Sequence, residues 1–259
     1  MYFNRIQLTL KSLKFRDYII ATGKFSLWNV AISSIFKKRP SMAIIHGSEV
    51  NLKTKLFRQA VEKSLKSFNT IVAVSNFTKS LISHLNLEVQ VIPNGIEVDK
   101  WNTTHFENKS IKGSPKLVTV GRVSSRKGQL QVIKLLPDLI TTYPNIHYHC
   151  IGIPTEAENF KNIAQELGVL PHITFHGALN ETDLKGMLLD SDIFIMLSIE
   201  TKEGDVEGFG IAILEANSLG IPAIGALGCG IEDAINNGVS GYLINGKDSN
   251  ELDKNIQII

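Results

Sequence analysis

"DIFIMLSIETKEGDVEGFGIAILEANSLGIPAIGA" runs from Asp192 to Ala226. Its first seven residues are a short apolar, β-branched run, as a buried strand is. A polar loop follows. Then "GIAILEANSLG" (210–220) predicts a helix closed by Gly220, and "IPAIGA" (221–226) a second strand. Strand, helix and strand in this order predict a parallel pair with a crossover helix. Gly208 and Gly210 stand where the helix opens, so the backbone can come close to a ligand. The first-turn N–H groups have no partner within a helix, and the helix dipole adds positive potential. The opening is therefore suited to an anion such as phosphate.

The same rhythm extends in both directions. Toward the N-terminus, strands are predicted at 17–22, 41–47, 70–75, 89–95, 115–122, 146–152 and 172–177. The intervening helices fall at 25–36, 52–68, after the cap residue Ser75, at 128–144 with a kink at Pro137, at 156–168 and at 181–191. "GYLING" (241–246) is the last strand read. Buried strands alternating with helices predict an α/β fold with parallel sheets covered on both faces. Residues 99–115, "DKWNTTHFENKSIKGSP", break the rhythm as a polar linker. The expected organisation is a first Rossmann-like domain over 1–98, a linker over 99–115 and a second Rossmann-like domain over 116–259. Ligands of open α/β sheets bind beyond the C-terminal strand ends.

Composition narrows the function classes. Two cysteines, Cys150 and Cys229, make no framework and no CxxC pair, so metal and redox readings lack support. No run of about 18 apolar residues predicts a spanning helix, and no signal-peptide pattern opens the chain. A cytoplasmic protein is expected. The net charge of +2 conceals an asymmetry: residues 1–79 hold 14 Lys/Arg against 3 Asp/Glu, a net of +11. Such a half suggests an anionic partner or simply a solvated basic surface. "MYFNRIQLTLKSLKFR" (1–16) fits a helix through Ile6, Leu10 and Leu13, and fits a strand equally through Ile6, Leu8 and Leu10. As a basic amphipathic helix it could lie on an anionic membrane, at the inner membrane face. No nucleic-acid partner is expected.

Glu207 and Glu215 bracket the anion-binding helix opening. Carboxylates sit awkwardly beside a phosphate, but they accept hydrogen bonds from hydroxyls, which sugars supply. A helix-start acid would explain Glu207, but not Glu215 among the apolar neighbours of "IAILEANSLG". A glycosidase-like carboxylate pair is a rival reading that spacing alone does not decide. In "VGRVSSRKGQ", Arg122 and Lys127 lie in the loop between a strand and a helix, a place suited to a pyrophosphate. An exposed basic loop would show the same pattern.

"PNGIEVDKW", "GRVSSRKG" and "EGFGIAILEA", in this order, resemble retaining glycosyltransferases of the GT-B fold, glycosyltransferase family 4 in particular. That family carries an E-x7-E pattern, matched by Glu207 and Glu215, and an Arg and a Lys in a GR…KG loop, matched by Arg122 and Lys127. The resemblance covers about residues 41–250. It implies a transferase using a nucleoside-diphosphate sugar, with a glycan or lipid-linked acceptor, no cofactor and no metal. The donor diphosphate would lie against Arg122, Lys127 and the backbone N–H groups of Phe209, Gly210 and Ile211. Glu215 would hold the ribose, and Glu207 the transferred sugar and the positive charge developing on it. His46, in "IHGSE", would face sugar and acceptor; a satisfied histidine at a strand end is the equal alternative. By likeness, retention would proceed by front-face attack. The family's opening glycine-rich loop and its final helix have no counterpart in this reading. The first domain is therefore expected to be incomplete, and the alternative function is an inactive remnant that binds nucleotide sugar.

Overall fold

The computed structural model of the chain describes residues 2–13, 18–36, 38–101 and 110–259. The polypeptide divides into two compact units. The first is Met1–Asn94 with Thr201–Phe209; the second is Gly95–Glu200 with Gly210–Ile259. Residues 102–109 of the expected linker lie outside the described residues, as do Asp17 of the first expected strand and residues 14–16 of the N-terminal stretch.

The first unit runs α1 (Tyr2–Ser12), β1 (Ile19–Thr22), α2 (Lys24–Phe36), β2 (Ser41–Ile45), α3 (Lys55–Leu65), β3 (Thr70–Ala73), α4 (Asn76–Ser80) and β4 (Gln90–Val91). Within the ambiguous N-terminal stretch, Tyr2–Ser12 is helical. The four strands pair in parallel, in sequence order. Along β2, Ser41, Ala43 and Ile45 are buried while Met42 and Ile44 are half-buried, the period of two that strand geometry requires. The buried side packs on Leu27 and Val30 of α2 and on Val61 and Leu65 of α3. Ser75 caps α4 as its position predicts, its hydroxyl accepting from the Thr78 N–H at 2.9 Å.

The second unit opens with α5 (Val98–Trp101). It continues through β5 (Lys116–Val120), α6 (Gln129–Thr142), β6 (His147–Ile151), α7 (Ala157–Glu166), β7 (Ile173–Gly177), α8 (Glu181–Leu189), β8 (Ile193–Met196), α9 (Ile211–Ser218), β9 (Ala223–Ala226), β10 (Gly241–Ile244) and α10 (Ser249–Ile258). All six strands are parallel, in the order β10-β9-β8-β5-β6-β7. This is the doubly wound Rossmann order, which reverses between β5 and β8. Every residue of β6, β8 and β9 is buried, as expected of strands covered on both faces. Leu117, Leu136, Tyr148, Phe160, Ile195 and Ile224 form the centre of its core. The helix containing Pro137 continues through it without interruption. The sequence reading missed α10, although Asp248 and Glu251 sit at N-cap and third-position spacing. Asp248 Oδ1 accepts from the Asn250 and Glu251 N–H groups at 2.9 and 3.2 Å, and Leu252 and Ile256 anchor the helix in the core.

Candidate functional site

The switch point of the six-stranded sheet lies between β5 and β8, whose register pairs Leu117 with Ile193 and Val118 with Phe194. Open sheets of this order bind ligands beyond the C-terminal ends of such strands. The loop after β5 carries Arg122 and Lys127, and the strand after that reversal, β8, leads by a longer loop to α9. Two loops from neighbouring strands thus leave the sheet at the place where the sequence expected a diphosphate.

These loops are braced. Gly128 has φ +83°, and a Cβ there would lie 2.1 Å from the Leu197 carbonyl oxygen, so only glycine lets the β5 loop rest against the end of β8. The Ile199 N–H donates to the Arg126 carbonyl at 3.1 Å, closing the same junction. Gln129 is fully buried at the first turn of α6. Its amide donates to the Arg122 carbonyl at 3.1 Å and accepts from the Ser124 N–H at 3.3 Å. Glu156, in the loop after β6, accepts from the Ser125 N–H at 3.1 Å and from its hydroxyl at 2.6 Å. Neither Gln129 nor Glu156 was read as a site residue. The only signal for Gln129 was a polar residue directly after the loop glycine.

Arg122 is exposed and Lys127 is half-buried. The stem of Lys127 folds back over Gly121, whose absent Cβ would lie 3.2 Å from Lys127 Cε. Gly210, at φ +96°, is the N-cap of α9, and no side chain caps the first turn. The N–H groups there are left for a ligand or water. Glu215 sits one turn further along α9, half-buried. Burial raises its pKa; the Lys127 ammonium pulls it down and Glu181 pushes it up. Lys127 and Glu215, far apart in sequence, therefore share one electrostatic environment in the second unit. Arg122, Lys127, Gly210, Ile211 and Glu215 all belong to this unit.

His46, Glu207 and Phe209 belong to the first unit. His46 is exposed directly after β2, at the C-terminal side of the four-stranded sheet. Its Nε2 is 2.8 Å from the hydroxyl of Thr22, the last residue of β1. Its backbone N–H donates to the buried Glu49 carboxylate at 2.6 Å. Residues 201–209 are bound to this same turn. Ser48 Oγ donates to Asp205, lies 3.2 Å from the Val206 carbonyl and accepts from the Val206 N–H at 3.1 Å; Asn51 Nδ2 donates to the Gly204 carbonyl at 3.1 Å. A Cβ on Gly208 would lie 1.6 Å from the His46 carbonyl oxygen, so the glycine before Phe209 is fixed by that approach. Glu207 and Phe209 are both buried. Ser48, Asn51 and Thr22 went unread because their partners are distant in sequence. Among the described residues no group of three or more His, Cys, Asp or Glu could hold a metal ion. No described helix is long and apolar enough to cross a membrane.

The fold is that of two Rossmann-like parallel-sheet units, the GT-B class. Solved structures agree with it. The Anabaena protein Alr3699/HepE in complex with UDP aligns with a TM-score of 0.81 at 20% identity, covering 98% of this chain and 71% of that one. Residues 102–259 match the model described as glycosyl transferases group 1, and residues 3–100 match glycosyltransferase family 4. The chain belongs to the group 1 glycosyl transferases. Curated relatives include the GDP-mannose-dependent alpha-(1-6)-phosphatidylinositol monomannoside mannosyltransferase of Mycolicibacterium smegmatis. It is 26% identical over 221 residues, which are 81% of this chain and 58% of that protein. Glycogen synthase of Mycobacterium tuberculosis is 28% identical over 230 residues, 83% of this chain and 54% of that protein. The chain spans little more than half the length of these relatives.

Proposed function

We propose that this chain transfers a sugar from a nucleoside-diphosphate sugar to a glycan or lipid-linked acceptor, with retention of configuration. The observation that carries the reading is the switch point of the second unit. Arg122, Lys127 and the uncapped start of α9 there supply cations and N–H donors from two braced loops. A leaving diphosphate needs such a set, and it can be neutralised without a metal. In this reading Glu215 accepts from the ribose hydroxyls, and the backbone N–H groups of Phe209, Gly210 and Ile211 face the phosphates. Glu207 accepts from hydroxyls of the transferred sugar and stabilises the positive charge that develops as the glycosidic bond to phosphate breaks. His46 lies on the sugar and acceptor side. The acceptor hydroxyl attacks the face that the diphosphate leaves, and the departing phosphate oxygen takes its proton. The neighbour's bound UDP and the relatives' GDP-mannose dependence support a nucleotide sugar as donor. The excess of 14 Lys/Arg over 3 Asp/Glu in residues 1–79 supports work at an anionic, cytoplasmic membrane face.

The test is a thermal-shift series with UDP, GDP and ADP, followed by transfer assays with the matching nucleotide sugars. At least one diphosphate raises Tm, as a ligand of the folded state must. Lys127→Ala weakens that ligand by about tenfold, the effect of losing one charge-assisted contact. Glu207→Gln lowers kcat by about a hundredfold or more while donor affinity stays within a few-fold. If none of the three diphosphates moves Tm, the donor site is wrong. If Glu207→Gln costs affinity and leaves kcat intact, its assigned role is wrong.

A further inference from the structure

The first unit has a second concave surface, at the edge of its sheet opposite His46. A cavity of about 550 Å³ opens where β2 and β3 begin and where α2 and α3 end. The length of β2, five residues or about 16 Å, separates it from the His46 turn. Lys38, Arg39 and Lys66 line it, together with Ser34 and Asn69, and among the described residues no carboxylate does. Among the described residues Lys38 and Lys66 make no ion pair, and Arg39 uses its Nε on the Leu13 carbonyl at 3.1 Å.

The helix ends account for part of this charge. Each C-terminus carries about half a negative charge, so the ends of α2 and α3 together offset only about one of the three cations. A net positive concavity remains. The Asn69 side-chain oxygen accepts from the Ser41 N–H at 3.0 Å, which leaves its amide NH₂ as a donor to the space. The volume falls within the range of small-molecule pockets. Ile35, 78% exposed, borders the cations on the α2 side and gives the rim an apolar patch.

We propose that this cavity is a phosphate-binding site distinct from the donor site. Its ligand carries at least one doubly charged phosphate group, either free or as the headgroup of an anionic lipid whose acyl part meets Ile35. The site does not depend on the transferase reading, since none of its residues was assigned to donor or acceptor.

Calorimetry with inorganic pyrophosphate and flotation with vesicles containing phosphatidic acid test it on the full chain. Both use an Arg122→Ala/Lys127→Ala background, which removes the donor loop's cations. Pyrophosphate binding, vesicle binding or both persist in that background. The exposed pair Lys38→Ala/Lys66→Ala weakens what binds by about tenfold or more, as loss of two charge-assisted contacts requires. The charge-matched control Lys11→Ala/Lys55→Ala leaves it within about twofold, the scale of screened long-range charge. Pyrophosphate alone marks a soluble ligand, and vesicles alone mark a headgroup. Equal loss in both pairs, no loss in either, or no binding of either probe overturns the site.

Discussion

His147 and His149 stand two residues apart on β6, so their side chains leave one face of the sheet, with ring centroids 4.8 Å apart. His149 Nε2 lies 2.9 Å from the Lys112 carbonyl and can only donate there. That fixes Nδ1 as an acceptor for His176 Nε2, also at 2.9 Å. His147 Nε2 meets the Thr174 hydroxyl at 2.8 Å. Burial pushes the His147 pKa down to about 4, aided by His149, Lys112, His172 and His176. Burial also lowers His149 and His176; for His149, Lys116 adds to the fall while the Lys112 carbonyl and Asp190 oppose it. A histidine held neutral in the fold binds fewer protons than in the unfolded chain. Its contribution to stability is thus complete above the ordinary value of about 6.5 and declines as pH falls toward 4. Tm therefore falls on acidification through that window, and His147→Phe makes the fall shallower; calorimetric scans at stepped pH measure both. None of this cluster was legible as a cluster, because β6 and β7 are brought into register only by the sheet. Glu207, Glu215, Arg122 and Lys127 were legible as candidates because their residue types and spacing carry chemistry on the page. Gln129 and Glu156 were not, since their work is to hold backbone groups that no sequence pattern names.

At the level of elements, β-branched runs identified the strands well because parallel strands are buried on both faces and leave few polar interruptions. Ends were harder. β4 is only Gln90–Val91 where seven residues were expected, and α3 begins at Lys55 rather than Leu52. The N-terminal helix could not be separated from a strand by periodicity, because Ile6 and Leu10 fit both templates. The signal for α10 is confined to its cap, Asp248 with Glu251 three residues on, because no glycine or proline marks its end. The joint between the β5 loop and β8 offers the sharpest test at this scale. Gly128→Ala must adopt φ +83° and clear the Leu197 carbonyl, so it costs at least about 2 kcal/mol. Urea unfolding shows that loss, and nucleoside diphosphate affinity falls with it because the Arg122–Lys127 loop loses its seat. A Gly128→Ala protein of unchanged stability would contradict the close approach.

Across the whole molecule, alternation of strands and helices was enough to predict two parallel sheets. Strand order was not available from it: the sequence 10-9-8-5-6-7 follows from which edges the crossovers reach, and no local pattern encodes that. Nor was the excursion of residues 201–209 readable, since a polar loop without periodicity gives no clue to its partners. The charge asymmetry was legible at once, yet its concentration around Lys38, Arg39 and Lys66 needed the helices to be in place. That excursion bears on modularity. A fragment beginning at Gly95 would contain every strand of the six-stranded sheet, yet it would carry residues 201–209 without Ser48 and Asn51, the hydrogen-bonding partners of Gly204, Asp205 and Val206. Residues 201–209 immediately precede the N-cap of α9. Split-protein complementation at this border would therefore restore more than the missing half: it would reanchor the stretch that leads into the uncapped start of α9.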